Sequence, residues 1–92
     1  MPVTFDPQKS ERNRQLRGLP FELAEDFDFS TAILRQDMRQ AYPEARYQAL
    51  GMLGDMVGFL VFTPTGDGYR VMSLRKASRK ERAEWHARQS PI

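Results

Sequence analysis

The chain has 92 residues, with 14 Lys and Arg, 12 Asp and Glu and one His, for a formal net charge of +2. That length holds one core, so a single domain over residues 1–92 is expected, and multidomain enzymes and repeat arrays are excluded. The absence of cysteine removes disulfide staples, thiolate metal sites and a cysteine nucleophile, and no apolar run nears the roughly 18 residues of a membrane span. With a polar N-terminus unlike a secretory signal, the expected location is cytoplasmic.

In chain order, Asp6 and Pro7 open a helix, because an Asp side chain caps exposed amides and proline lacks only an N–H that the first turn leaves unbonded. The helix is predicted over Pro7–Arg17, with Gly18 as its left-handed stop. Leu16 is its one sizeable apolar residue, so something other than hydrophobic burial has to hold it. Pro20 opens a short second helix whose apolar face is Phe21, Leu23, Ala24 and Phe27.

Four strands follow at 31–36, 45–53, 56–63 and 69–75, parted by turn residues around Tyr42-Pro43, Gly54-Asp55 and 64–68. The third is continuously apolar and therefore central, with Gly58 marking close approach or a bulge. The fourth alternates Tyr69, Val71, Ser73 and Arg75 on one face against Arg70, Met72 and Leu74 on the other. Ser78 and Glu81 form a capping box that starts a helix over 78–89, with a frayed end over 89–92. The expected fold is α+β: two N-terminal helices, a four-stranded antiparallel meander sheet and one C-terminal helix.

Charge is segregated along the chain. Residues 70–88 hold seven basic side chains against Glu81 and Glu84, while 19–29 hold four acids and no base, which suits one surface to a polyanion and another to a basic partner. Arg75 at a strand end and Arg79 in the first turn of the last helix are expected to face one space, where two guanidiniums can grip a phosphate. The same run also reads as a solvated basic face. His86 fits acid–base work or an ordinary surface or packing role. Trp85, Phe59, Phe62 and Tyr69 fit core packing or base stacking, and Tyr47 and Tyr69 also fit proton donation or stacking beside an arginine. No ligand set accompanies the lone histidine, which excludes a structural zinc site, and Gly66-Asp67-Gly68 reads as a turn between strands, not a phosphate cradle.

Three series of residues stand in order along the chain: Phe5, Asp6, Pro7, Lys9, Asn13, Gly18 and Phe21; then Arg46, Tyr47, Leu50 and Gly51 ahead of Val61-Phe62-Thr63; then Ser73, Arg75, Ala77, Arg79 and Glu81. Together they resemble the BrnT family, small ribonuclease toxins of bacterial type II toxin-antitoxin systems with a fold similar to the RelE toxins. Members commonly carry a Lys-His pair before the first glycine, where this chain has Leu16 and Arg17, and a tyrosine where it has Trp85. The resemblance implies a metal-independent endoribonuclease without cofactor that arrests translation, a ribose 2′-hydroxyl attacking the adjacent phosphate. It implies Arg75, Arg79 and Arg46 as catalytic cations, and Lys9, Asn13, Arg17, Arg70, Arg82 and Tyr47 as RNA-binding residues. The implied partner is a BrnA-like ribbon-helix-helix antitoxin in a heterotetramer, which would make the DNA contact; RNA is the substrate and no membrane takes part. Loss of the Lys-His pair leaves a second implication, a catalytically impaired member acting as a binding or co-repressor subunit.

Overall fold

A computed structural model describes residues 2–89. Of the frayed end expected over 89–92, Gln89 is helical and residues 90–92 lie outside the described residues.

Helix α1 (Pro7–Arg17) starts where the Asp6 carboxylate accepts a hydrogen bond from the Gln8 amide at 2.9 Å. It ends at Gly18, whose φ of 72° lets its amide donate to the Arg14 carbonyl. The buried residues of α1 are Ser10 and Asn13, so hydrogen bonds replace the missing apolar stripe. Ser10 Oγ accepts from the Phe21 amide at 2.8 Å and donates to Glu22 at 3.0 Å. Asn13 Nδ2 donates to the carbonyls of Leu19 at 2.6 Å and Leu74 at 2.8 Å. The second helical segment, Phe21–Asp26, is a 3-10 helix. Phe21 and Ala24 in this helix and Phe27 just past its end recur every third position, and all three are buried.

The sheet corrects the sequence expectation. It has five strands, not four, and is mixed rather than an antiparallel meander: β1 (Val3–Thr4), β2 (Ile33–Gln36), β3 (Tyr47–Leu53), β4 (Met56–Pro64) and β5 (Tyr69–Lys76), in the order β1-β5-β4-β3-β2. The pair of N-terminal helices is likewise corrected, to one α-helix and one 3-10 helix. Strands β2 to β5 pair antiparallel with their chain neighbours, while β1 lies parallel to β5 with Val3 opposite Tyr69. Two residues are too few to show alternation. The added strand is secured where the Tyr69 amide donates to the Pro2 carbonyl at 3.0 Å. Gly68 makes that approach possible, since a Cβ there would stand 1.9 Å from the same carbonyl oxygen.

A bulge decides the faces of β5. Val61 pairs with Ser73 but Phe62 pairs with Val71, so Met72 is the extra residue. The strict alternation expected for this strand is thereby broken: Tyr69, Val71 and Leu74 share one face, and Arg70, Ser73 and Arg75 share the other. The first face carries the larger core, in which Ala49, Leu53, Leu60, Tyr69, Val71 and Leu74 meet Phe21, Ala24 and Phe27. On the second face Leu50, Val57 and Ala77 pack with Trp85 of helix α2 (Arg79–Gln89). Trp85 Nε1 and Gln89 Nε2 both donate to the Thr31 carbonyl at 3.1 Å, so α2 runs from the end of β5 across to the start of β2. It covers the Leu50–Val57 half of the face; the other half carries the candidate site.

Candidate active site

Strand register writes the second face as rows. Ile33, Leu50, Phe59 and Arg75 form one row, Arg35, Gln48, Val61 and Ser73 the next. Beyond them Thr63 pairs with Arg70. Arg46 lies one step before β3, where extending the Tyr47–Phe62 register would set it beside Thr63, and the Asp37 amide donates to the Arg46 carbonyl at 2.7 Å, continuing the β2–β3 ladder. Asp37, Arg46, Thr63 and Arg70 are therefore the third row.

Arg75 donates to both oxygens of Glu81, at 2.8 and 2.9 Å, and its guanidinium lies 4.1 Å from the Phe59 ring centroid. Glu81 also accepts from the Ser78 amide at 2.8 Å, and Ser78 Oγ accepts from the Glu81 amide at 3.1 Å, which completes the capping box. Arg75 is the main reason that the Glu81 carboxyl falls from 4.5 to about 2. It is a carboxylate at neutral pH and too weak a base to take a proton efficiently. In turn Glu81 raises the pKa of Arg75, against burial and the like charge of Arg39.

Two further pairs frame the face. Arg35 of β2 is ion-paired with Glu84 of α2. In the 37–46 loop Arg39 donates to both oxygens of the buried Asp37, at 2.8 and 2.6 Å, and the Tyr42 hydroxyl donates to Asp37 at 3.0 Å. These bonds, Arg39 first among them, hold Asp37 far below the ordinary carboxylate range. The Arg46 guanidinium stacks 4.3 Å from the Tyr42 ring centroid. At the β5 edge Arg17 reaches round from α1, donating to Ser73 Oγ and the Leu74 carbonyl at 3.3 Å and, at 3.4 Å, to Asn13 Oδ1. A groove of about 250 Å³ separates α1 from β5 there, lined by Lys9, Arg12, Asn13, Arg17, Met72 and Ser73.

Of the residues expected from sequence, Arg46, Arg70 and Arg75 thus share one sheet face, with Arg17 at its edge and Lys9 in the adjoining groove. Asn13 is buried, with both amide hydrogens committed to backbone carbonyls. Arg82 donates to the Ala77 carbonyl at 3.1 Å. Arg79 is exposed, and among the described residues its side chain makes no hydrogen bond or ion pair. Tyr47 lies on the opposite face, stacked on Phe62 at 5.9 Å between centroids. Tyr69 also faces the large core, its hydroxyl donating to the Ala24 carbonyl at 2.8 Å, and His86 packs edge-on to Trp85.

Sequence reasoning missed Arg35, Asp37, Arg39, Tyr42 and Glu84. Strand parity would have found Arg35, which shares a face with Ile33; the loop residues follow no period that points to a face. Among the described residues no group of three His, Cys, Asp or Glu side chains is gathered for a metal ion, and no helix is long and apolar enough to cross a membrane.

The family model for BrnT, the ribonuclease toxin of type II toxin-antitoxin systems, matches residues 5–81. The chain belongs to the BrnT family. No curated protein and no solved structure matches it. As a BrnT-family chain it is a ribonuclease toxin with a protein antitoxin for a partner. The matched span includes every arginine of the face, from Arg17 to Arg75, and ends at Glu81, the carboxylate that holds Arg75.

Proposed function

We propose that this BrnT-family toxin is a metal-independent endoribonuclease that cuts RNA laid across the second face of the sheet, in the cytoplasm, and so arrests translation. One observation carries the reading: six arginines, at 17, 35, 39, 46, 70 and 75, converge on that face against three carboxylates, Asp37, Glu81 and Glu84. The surplus is positive, and guanidinium forks match phosphate oxygens.

In the proposed reaction the 2′-oxygen of a ribose bonds to the adjacent phosphorus and gives up its proton to solvent. The bond to the 5′-oxygen breaks, and that oxygen takes a proton from solvent. Negative charge grows on the phosphorane oxygens between these events, and fixed cations stabilise it more than they stabilise the ground state. Arg75 is assigned to that charge, with Arg79 extending the cationic surface onto α2 and Arg46 lying farther along the face. Lys9, Arg17, Arg70 and Arg82 line the RNA path. Asn13 serves it by holding Arg17, and Tyr47, from the far face, by packing under β3. A BrnA-like ribbon-helix-helix antitoxin, in a heterotetramer, is the proposed partner and makes the DNA contact.

Expression without antitoxin should stop growth, and the purified chain should cleave RNA in the presence of a chelator. Arg75→Ala should lower cleavage by about a hundredfold or more, the scale of one lost preorganised donor. A wild-type chain that leaves RNA intact would refute the catalytic reading. A second reading, a catalytically impaired member serving as a binding or co-repressor subunit, draws on two observations: Glu81 takes a hydrogen bond from each terminal nitrogen of Arg75, and Leu16, at the position where the resemblance implies lysine, is 75% exposed. On that reading Leu16→Lys with Arg17→His creates cleavage that the native chain lacks.

A further inference from the structure

We propose that Arg46, Thr63 and Arg70 form a phosphate subsite, apart from Arg75, that holds a backbone phosphate of bound RNA; the proposal rests on the reading of this face as an RNA surface. Thr63 of β4 pairs with Arg70 of β5, and Arg46 directly precedes β3, whose first residue Tyr47 pairs with Phe62. Thr63 is only 6% exposed, yet its hydroxyl has no hydrogen-bond partner among the described residues, and neither has the buried Nε–H of Arg46. Two adjacent orphan donors on one sheet face are not an economical way to build a core. Buried polar groups left unbonded lower stability, and native proteins keep them mainly where a ligand completes them.

The neighbours explain why Arg46 stays open. Asp37 lies next to it in the ladder, but each of its oxygens is already engaged by Arg39, and one also by Tyr42. The Tyr42 ring covers one face of the Arg46 guanidinium, which leaves the guanidinium edge as the place for an anion. Arg70 is exposed, and among the described residues no carboxylate pairs with it. The ligand class that fits is a tetrahedral phosphate oxyanion, which accepts from a hydroxyl and two guanidiniums at once. Thr63 is four residues along β4 from Phe59, whose row carries Arg75, or about 13 Å at the usual rise of a strand. The subsite and Arg75 therefore hold different phosphates of one strand.

The test uses the whole chain, with inorganic phosphate and an all-deoxy oligonucleotide that cannot be cut as probes. Saturating phosphate should shift the Arg46 Nε–H and Thr63 amide NMR signals. Thr63→Val should weaken that binding about tenfold or more, the scale of a hydrogen bond to a charged group, while raising the thermal midpoint because the orphan hydroxyl is gone. Thr63→Ser should keep the affinity. A lower midpoint for Thr63→Val, or unchanged phosphate affinity, overturns the proposal. If the oligonucleotide moves the Arg17 and Arg75 signals but not those of Arg46 and Thr63, the subsite is wrong and the RNA surface stands; if no arginine of the face responds, both fall.

Discussion

Replacing Asn13 by alanine isolates the force that docks α1. The helix buries Ser10 and Asn13 and no sizeable apolar side chain, so its attachment depends on polar contacts. Asn13 is 8% exposed and donates to two carbonyls, Leu19 at 2.6 Å and Leu74 at 2.8 Å. The Leu74 oxygen keeps a weaker bond from Arg17 at 3.3 Å, whereas no other bond replaces the one to Leu19. Two lost neutral bonds and one stranded acceptor cost about 2 to 3 kcal/mol, and the better helix propensity of alanine returns roughly 0.5 kcal/mol. A net loss near 2 kcal/mol lowers the melting temperature of a domain this size by about 8 to 16 °C. Circular dichroism melts give the total, and amide exchange locates it: α1 amides should lose protection ahead of those in β4. Asn13→Leu, which fills the space without bonding, should lose nearly as much. A drop below about 3 °C, or protection lost evenly across the sheet, would refute the idea that hydrogen bonds dock this helix.

Other consequences can be measured separately. Arg75 holds the Glu81 carboxyl at about 2 rather than 4.5, so the stability it contributes is present above about pH 4.5 and is lost as pH falls toward 2; Glu81→Gln should flatten that part of the curve in denaturant melts, and an unaltered slope refutes the pairing. Gly68→Ala should push Pro2 off β5, costing about 1 to 3 kcal/mol and exposing the Tyr69 amide to exchange; continued protection of that amide would show that β1 is held differently. Trp85→Ala should cost about 3 to 5 kcal/mol and release α2 from Leu50 and Val57, seen as selective loss of helical signal while the sheet persists at low denaturant.

Local signals in the sequence were legible because their physics is local. Asp6, Pro7 and Gly18 each act within one turn, and the boundaries of α1 follow from them. The Ser78–Glu81 box is equally short-range. What escaped depends on contacts between distant segments. Strand β1 is two residues long and exists through Pro2 meeting Tyr69. The bulge at Met72 is invisible to a period-two reading, which sends Arg70 and Arg75 to opposite faces; the extra residue is what unites them on one. Arg79 illustrates the reverse error. It is close to Arg75 in sequence, but at 3.6 residues per turn it sits roughly 120° round the helix from Trp85, outside the stripe that meets the sheet. Glu81, about 40° from that stripe, meets Arg75 instead.

The carboxylates on the arginine face fix how RNA has to bind. Arg35 is more than half exposed in its ion pair with Glu84, and a pair of that kind holds by only about 0 to 1 kcal/mol. It orders that cation yet releases it cheaply, while the bidentate pairs Arg75–Glu81, tied into the capping box, and Arg39–Asp37, whose carboxylate is buried, release theirs last. Arg17, Arg46 and Arg70 have no carboxylate partner among the described residues and are open to phosphate from the start. Single-stranded binding loses about 0.7 log units of affinity per phosphate contact for each tenfold rise in salt. On the face, the three open arginines contribute about −2 to the slope and all six about −4, and Lys9, Arg79 and Arg82 add equally to either value. The native chain should show the shallower value with the all-deoxy oligonucleotide, and Glu81→Gln, by freeing Arg75, should steepen it by about 0.7. A Glu81→Gln slope equal to that of the native chain would mean that the carboxylate does not hold its arginine against RNA, and the division between open and restrained cations would fall.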